Sequence, residues 1–137
     1  MTGKNLNVLF VEDNLIEIMK MQRTIPLLEI DHKVDEVKNA NEALVFLRNN
    51  KAPDIILLDL NMPKISGIDF LSFLRSEEKY KYIPVIILTT SNNPKDLHEC
   101  YKIGISGYVV KPLKYQDYIK KIKTVLGYWS MNELNIV

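Results

Sequence analysis

Five short runs of aliphatic and β-branched residues punctuate the chain: Val8–Val11, a weaker Lys33–Val37, Ile55–Leu58, Val85–Leu88 and Tyr108–Val110. Three of them are continuously apolar instead of alternating, the pattern of strands buried on both faces of a parallel sheet. Between the runs, apolar residues recur at steps of three and four. Leu15, Ile18, Met21, Ile25 and Leu28 form one stripe, Ala40, Ala43, Leu44 and Leu47 a second, and Ile68, Leu71 and Leu74 a third. Each stripe is the mark of a helix with one face on a core. Pro26 lacks an amide donor and is expected to kink or end the first helix. Leu97, Cys100 and Tyr101 suggest a fourth helix ended by Gly104, the residue type that suits a helix C-terminus. The last stripe is the clearest: Tyr115, Ile119, Ile122, Leu126 and Trp129. Strands alternating with helices along the whole chain predict an α/β fold, a (βα)5 unit around a parallel sheet. Right-handed crossovers then place helices on both faces of the sheet.

The 137 residues suit one domain, expected to span 1–137 with a core over about 6–129 and a short C-terminal tail, 130–137. Eighteen Lys and Arg nearly cancel seventeen Asp and Glu, for a net charge of +1, which argues against a generic nucleic-acid-coating role. A lone cysteine, Cys100, excludes an internal disulfide framework and fits a reducing compartment. Met1-Thr2-Gly3-Lys4-Asn5 is polar, unlike a signal peptide. The aliphatic runs fall far short of the ~18 apolar residues a membrane span requires. A soluble, cytoplasmic protein without membrane association is expected.

In a sheet of this kind, chemistry collects beyond the carboxyl ends of the strands. The first run leads into Glu12-Asp13, the third into Asp59, the fourth into Thr89 and the fifth into Lys111. Three carboxylates, a hydroxyl and an ammonium thus converge on one edge from four strands. Each has a plain reading when taken alone. Asp13 suits a helix cap, Asp59 to Pro63 a turn, Thr89 a strand-end hydroxyl and Lys111 a solvated cation. Their joint occurrence at one edge favours a site. Converging carboxylates repel unless a cation compensates, and their titrations are linked. Oxygen donors, with neither His32 nor Cys100 at this edge, favour Mg²⁺ or Mn²⁺ over Zn²⁺. A nucleophilic carboxylate, a metal, a lysine and a hydroxyl are the parts needed to accept a phosphoryl group.

Val11-Glu12-Asp13-Asn14, Leu57-Leu58-Asp59-Leu60-Asn61-Met62-Pro63, Leu88-Thr89-Thr90-Ser91 and Ser106-Gly107-Tyr108-Val109-Val110-Lys111-Pro112 resemble the receiver domain of two-component response regulators. The likeness runs from about Leu6 to Trp129, with the motifs in order and 46, 30 and 22 residues between Asp13, Asp59, Thr89 and Lys111. Ile83-Pro84-Val85 through Thr90-Ser91, with Tyr101 and Trp129, is more narrowly similar to the stand-alone receivers paired with bacterial phytochromes. The resemblance implies a flavodoxin-like, doubly wound sheet of strand order 2-1-3-4-5. It implies that Asp59 accepts a phosphoryl group from a histidine kinase or phosphotransfer protein. Mg²⁺, or Mn²⁺ in its place, would be held by the side chains of Asp13 and Asp59, the backbone carbonyl of Asn61 and, through water, Glu12. Lys111 would pair with Asp59 or the phosphoryl oxygens, Thr89 would bond the phosphoryl group, and Lys111–Pro112 would be a cis peptide. Tyr108 would swing inward as Thr89 moves, changing the face of the fourth helix, fifth strand and fifth helix that meets a downstream protein. Asn61 and Ser91 occupy the positions that tune phosphoryl lifetime. Two positions depart from the usual pattern: Glu12 stands where aspartate is commoner, and the β-branched Thr90 stands where small residues are usual and narrows access.

The implied role is phosphorelay signalling, without turnover of an external substrate and without direct DNA binding. Three rival readings stand beside it. An aspartyl-phosphate phosphatase wants a second carboxylate two residues after its nucleophile, where this chain has Asn61. A flavin protein wants a phosphate cradle where these strands end in carboxylates. A docking module would use the cluster only for metal or stability. Elsewhere, Arg75 to Lys81 reads as solvated loop and helix end, Lys114, Lys120, Lys121 and Lys123 as a basic outer side of the last helix, and Cys100 as an inert buried thiol. Tyr101, Tyr115 and Tyr118 suit a partner face, with core packing an equal reading for Tyr115. Trp129 is assigned to packing, with a homodimer contact as the alternative.

Overall fold

Asn14, Asn39, Ser66 and Asn93 each have extended backbone, and each accepts a backbone N–H of the next turn on its side-chain oxygen. These four caps start four of the five helices. A computed structural model describes residues 3–62 and 64–134. The elements are β1 (Asn7–Val11), α1 (Leu15–Thr24), β2 (Lys33–Val37), α2 (Ala40–Asn49), β3 (Ile55–Leu58), α3 (Gly67–Ser76), β4 (Val85–Thr89), α4 (Pro94–Ile103), β5 (Gly107–Val110) and α5 (Tyr115–Ser130). All strands pair in parallel in the order β2-β1-β3-β4-β5, the expected flavodoxin-like arrangement.

The central strands are buried almost throughout, which is why they read as unbroken apolar runs. Their side chains alternate between two cores. Val8, Phe10, Ile55, Leu57, Ile86 and Leu88 meet Met21 of α1 and Tyr118, Ile122 and Leu126 of α5. Leu9, Val11, Ile56, Leu58, Val85 and Ile87 meet α2, α3 and Cys100 of α4. With helices on both faces, the open end of the sheet is the edge beyond the strands' carboxyl ends.

Several local expectations hold. After Thr24 the chain tightens into a 3-10 turn, Ile25–Leu27, around Pro26, and Gly104 ends α4 at φ 127°. Others are corrected. The Lys111–Pro112 peptide is trans, since no cis bond occurs among the described residues; trans is the lower isomer of an X–Pro bond by about 0.5–1 kcal/mol. Leu15 and Tyr101 leave their stripes for solvent, at 66% and 56% exposure. Leu15 opens α1 ahead of its contact with the sheet, and Tyr101 lies about 100° around α4 from Cys100. The charged run that begins in the last turn of α3 is not simply solvated. Arg75 donates from Nε to the Gly104 carbonyl at 2.8 Å and from Nη1 to the Lys81 and Ile83 carbonyls at 3.1 and 2.9 Å, and Tyr80 is buried. Its fork of donors gathers carbonyls from two loops, a use that charge patterning does not reveal.

At the C-terminal end, Ser130 is buried, its carbonyl accepts the Lys4 N–H at 3.1 Å, and Leu134 packs on the core. Met1, Thr2, Pro63 of the third-strand motif and residues 135–137 of the expected tail lie outside the described residues. Among the described residues no helix is long and apolar enough to cross a membrane.

His32 ties β2 to the chain before β1. It is buried, and its Nδ1 accepts the Leu6 N–H at 3.1 Å. Burial lowers its pKa below the ordinary value, against an opposing pull from Asp31. A base depressed in the folded state contributes stability that is whole above its unfolded pKa and is lost as pH falls through the folded one. His32→Gln, which keeps an acceptor but takes up no proton, is expected to lose less stability than wild type on acidification from about pH 7 to about pH 5. Urea midpoints at both pH values check this; parallel losses would contradict it.

Candidate functional site

Parallel register brings the strand-end residues together. Val11 pairs with Leu58 across β1 and β3, and Thr89 with Val110 across β4 and β5. The hydrogen-bonded ladder continues one residue further: Glu12 N–H donates to Val37 at 3.0 Å, Asp59 N–H to Val11 at 3.1 Å and Lys111 N–H to Thr89 at 2.7 Å. The backbones of Glu12, Asp59 and Lys111 are therefore held by the sheet itself.

Glu12, Asp13 and Asp59 each place a carboxylate oxygen within 4.8 Å of the others, Glu12 and Asp59 buried and Asp13 exposed. Lys111 is buried beside them. Its Nζ lies 2.5 Å from Glu12 Oε1, 3.5 Å from Glu17 Oε1 and 3.9 Å from Asp59 Oδ1. The expected partner, Asp59, is thus the most distant of three. Glu12 Oε2 also accepts the Asn14 N–H at 3.2 Å. Burial pushes the Glu12 carboxyl up to about 7; Lys111 opposes this through its charge and hydrogen bond, while Asp59 adds to it. These groups floor a recess of about 570 Å³ whose walls include Asn61, Thr90, Leu15, Ile16 and Glu17.

Two of the expected phosphoryl-binding and switch residues, Thr89 and Tyr108, do not line this recess. Thr89 is the last residue of β4, fully buried, and its Oγ1 accepts the Ser91 N–H at 3.3 Å. Its neighbour Thr90 is the exposed one and lines the opening. Tyr108 is half-buried and donates its hydroxyl to the Ser91 carbonyl at 2.9 Å; burial raises its pKa. Ser91 directs its own hydroxyl to Asp96 in the first turn of α4, at 2.7 Å. Glu12, Asp13, Asp59, Asn61 and Lys111 are therefore gathered in one recess, while Thr89, Ser91 and Tyr108 form a hydrogen-bonded chain beside it.

Two residues were missed by sequence reasoning. Glu17 reaches the recess from α1. Gly67 opens α3 pressed against the backbone of the acidic residue itself: a Cβ there would stand 2.4 Å from the Asp59 carbonyl oxygen and 2.7 Å from Leu60 Cα. Its N–H donates to the Leu60 carbonyl at 3.1 Å. A glycine directly after a serine cap, where better helix formers are available, was the sequence signal. Gly67→Ala is expected to displace this loop and cost about 1–3 kcal/mol, as overpacking does, measurable as a lower urea midpoint.

The donor set fits a hard divalent cation. It consists of oxygens, two of the three carboxylates are buried, and one ammonium is shared between those two. Mg²⁺ and Mn²⁺ take such ligands and retain waters.

Comparison with known proteins agrees with this picture. The profile of the response regulator receiver domain matches residues 8–123. The chain is 32% identical over 127 residues to the probable methanogenesis regulatory protein FilR2 of Methanothrix harundinacea, covering 89% of this chain and 82% of that protein. It is 30% identical over 128 residues to the response regulator Rcp1 of Synechocystis sp., covering 89% and 87%. The crystal structure of the phosphorylated cyanobacterial phytochrome response regulator RcpA matches with a TM-score of 0.90 at 31% identity, over 96% of this chain and 99% of that one. The Mn²⁺-bound form of Rcp1 matches with a TM-score of 0.86 at 28% identity, over 95% and 99%. Strand order, acidic edge and profile agree: the chain belongs to the response regulator receiver domain family, whose members act in phosphorylation-regulated signalling and do not turn over a substrate.

Proposed function

We propose that this protein is a single-domain response regulator, spanning 1–137 and working in the cytoplasm. It receives a phosphoryl group on Asp59 from a histidine kinase or phosphotransfer protein. The observation that carries this reading is the buried Asp59 carboxylate, set among two other carboxylates with an ammonium 3.9 Å away. An Asp59 oxygen bonds to phosphorus as the donor's imidazole leaves, producing an acyl phosphate. Asp13 and Asp59 side chains, the Asn61 carbonyl and, through water, Glu12 would hold Mg²⁺ or Mn²⁺. That cation supplies charge neutralisation for the phosphoryl oxygens.

Lys111 moves from Glu12 to the phosphoryl group, and Thr89 gives up the Ser91 N–H to bond the same group. Because the Ser91 carbonyl holds Tyr108, this rearrangement reaches the face of α4, β5 and α5, where a downstream protein binds. Output runs through protein contacts, not DNA. Asn61, on the recess wall, tunes how long the phosphoryl group survives; Ser91 acts on that lifetime through its backbone link to Thr89.

Intact mass after incubation with acetyl phosphate and Mg²⁺ tests the proposal. The expected result is a gain of one phosphoryl group (~80 Da) that EDTA abolishes. No gain by a protein shown to bind Mg²⁺ would overturn it in favour of a phosphate-independent docking module.

A further inference from the structure

Among the described residues Lys111 is the cation in contact with Asp59, and two other carboxylates compete for it. One of them, Glu17, belongs to none of the strand-end motifs. It occupies the third position of α1, where its ordinary role would be to close the helix cap by accepting the Asn14 N–H. That N–H is already donated to Glu12 Oε2 at 3.2 Å. Asn14 completes its side of the cap, accepting the Ile16 and Glu17 N–H groups at 2.9 and 3.3 Å.

Glu17 turns inward instead. Its Oε2 rests 3.4 Å from Lys20 Nζ, which lies over the Tyr118 ring at 4.5 Å. Its Oε1 is buried without a hydrogen-bond partner among the described residues and faces Lys111 Nζ at 3.5 Å. A carboxylate oxygen kept from water costs free energy unless a charge compensates. Here the compensating charge is the ammonium that phosphoryl transfer needs at Asp59.

We propose that Glu17 is a positioning residue that holds Lys111 on the α1 side of the recess, short of Asp59. It thereby sets how much of that positive charge is available to incoming phosphoryl oxygens. Its effect on transfer rate rests on Asp59 being the phosphoacceptor; its coupling to Lys111 does not. With Lys111 retained, the recess stays attractive to a divalent cation and less attractive to an anionic phosphodonor. Glu17→Gln releases the lysine toward Asp59, so phosphoryl gain quickens while Mg²⁺ binding weakens.

The test measures Mg²⁺ affinity by titration calorimetry, and the rate of phosphoryl gain from acetyl phosphate at saturating Mg²⁺ by intact mass. It uses wild type, Glu17→Gln, Glu17→Asp, Lys111→Met and the Glu17→Gln/Lys111→Met pair, each shown to fold by thermal unfolding. Glu17→Gln is expected to gain the phosphoryl group about three- to tenfold faster, a modest change in barrier. Its effect on Mg²⁺ affinity is expected to differ between the background that keeps Lys111 and the one carrying Lys111→Met. Glu17→Asp keeps the charge but falls a methylene short of Lys111, so it should behave like Glu17→Gln; a role through charge alone would leave it like wild type. An unchanged rate, or equal Mg²⁺ effects in both backgrounds, overturns the proposal. If wild type gains no phosphoryl group, the phosphoacceptor reading fails on its own and the Mg²⁺ cycle decides the role of Glu17.

Discussion

Asp59→Asn is expected to gain no phosphoryl group from acetyl phosphate and Mg²⁺ under conditions that modify the wild-type chain, a loss of the whole signal. The amide offers no anionic oxygen, and the neighbouring carboxylates are poor substitutes. Glu12 is engaged by Lys111 at 2.5 Å and by the Asn14 N–H. Asp13 is exposed, and Lys111 lies within ion-pairing distance of Glu12, Glu17 and Asp59 instead. The fold should survive, because Asn is nearly isosteric and the Asp59 N–H bond to the Val11 carbonyl is a backbone contact. Without Mg²⁺ the variant should be at least as stable as wild type, since one of three crowded carboxylates loses its charge. Intact mass and the thermal midpoint check both halves. Phosphoryl uptake on Asp13 or Glu12 would move the acceptor; collapse of the fold would make Asp59 a structural residue.

What sequence could and could not reveal here follows from how each side chain is placed. A parallel strand delivers the residue after its last ladder position to the same edge as its neighbours do. Glu12, Asp59 and Lys111 were therefore legible from apolar runs alone. Orientation within that edge was not. β4 runs to Thr89, which continues the alternation of Val85 and Ile87, and so its hydroxyl is buried; that Thr90 takes the opening was legible through the family resemblance and not through the runs. The Ser91 hydroxyl is claimed by Asp96 of α4, a choice made by a helix terminus downstream. Glu17 and Gly67 escaped for a different reason. Their importance lies in what α1 and α3 are pressed against, Lys111 in one case and the Asp59 backbone in the other. Periodicity identifies the buried stripe of a helix, and neither residue carries an apolar side chain to mark it.

Lys111→Met is expected to unfold more easily than wild type by about 3 kcal/mol in Mg²⁺-free buffer at about pH 8, the scale of losing one partner of a buried ion pair. Met fills much of the same volume, so the loss reflects charge more than packing. It leaves Glu12 buried, facing Asp59, with the Asn14 N–H as its remaining stabilising contact. The Glu12 carboxyl already sits at about 7 by burial, held down by Lys111; without Lys111 it binds its proton at higher pH still. An acid raised in the folded state contributes stability that is whole below its unfolded pKa and is lost as pH rises through the folded one. The deficit of Lys111→Met should therefore shrink as pH falls from about 8 to about 6. Adding Glu12→Gln should remove most of that pH dependence, and Mg²⁺ should narrow the deficit at the higher pH by neutralising the same carboxylates. Urea midpoints across this range give the answer. A deficit independent of pH would mean that Lys111 stabilises the fold through its hydrocarbon stem, and that Glu12 does not depend on its charge.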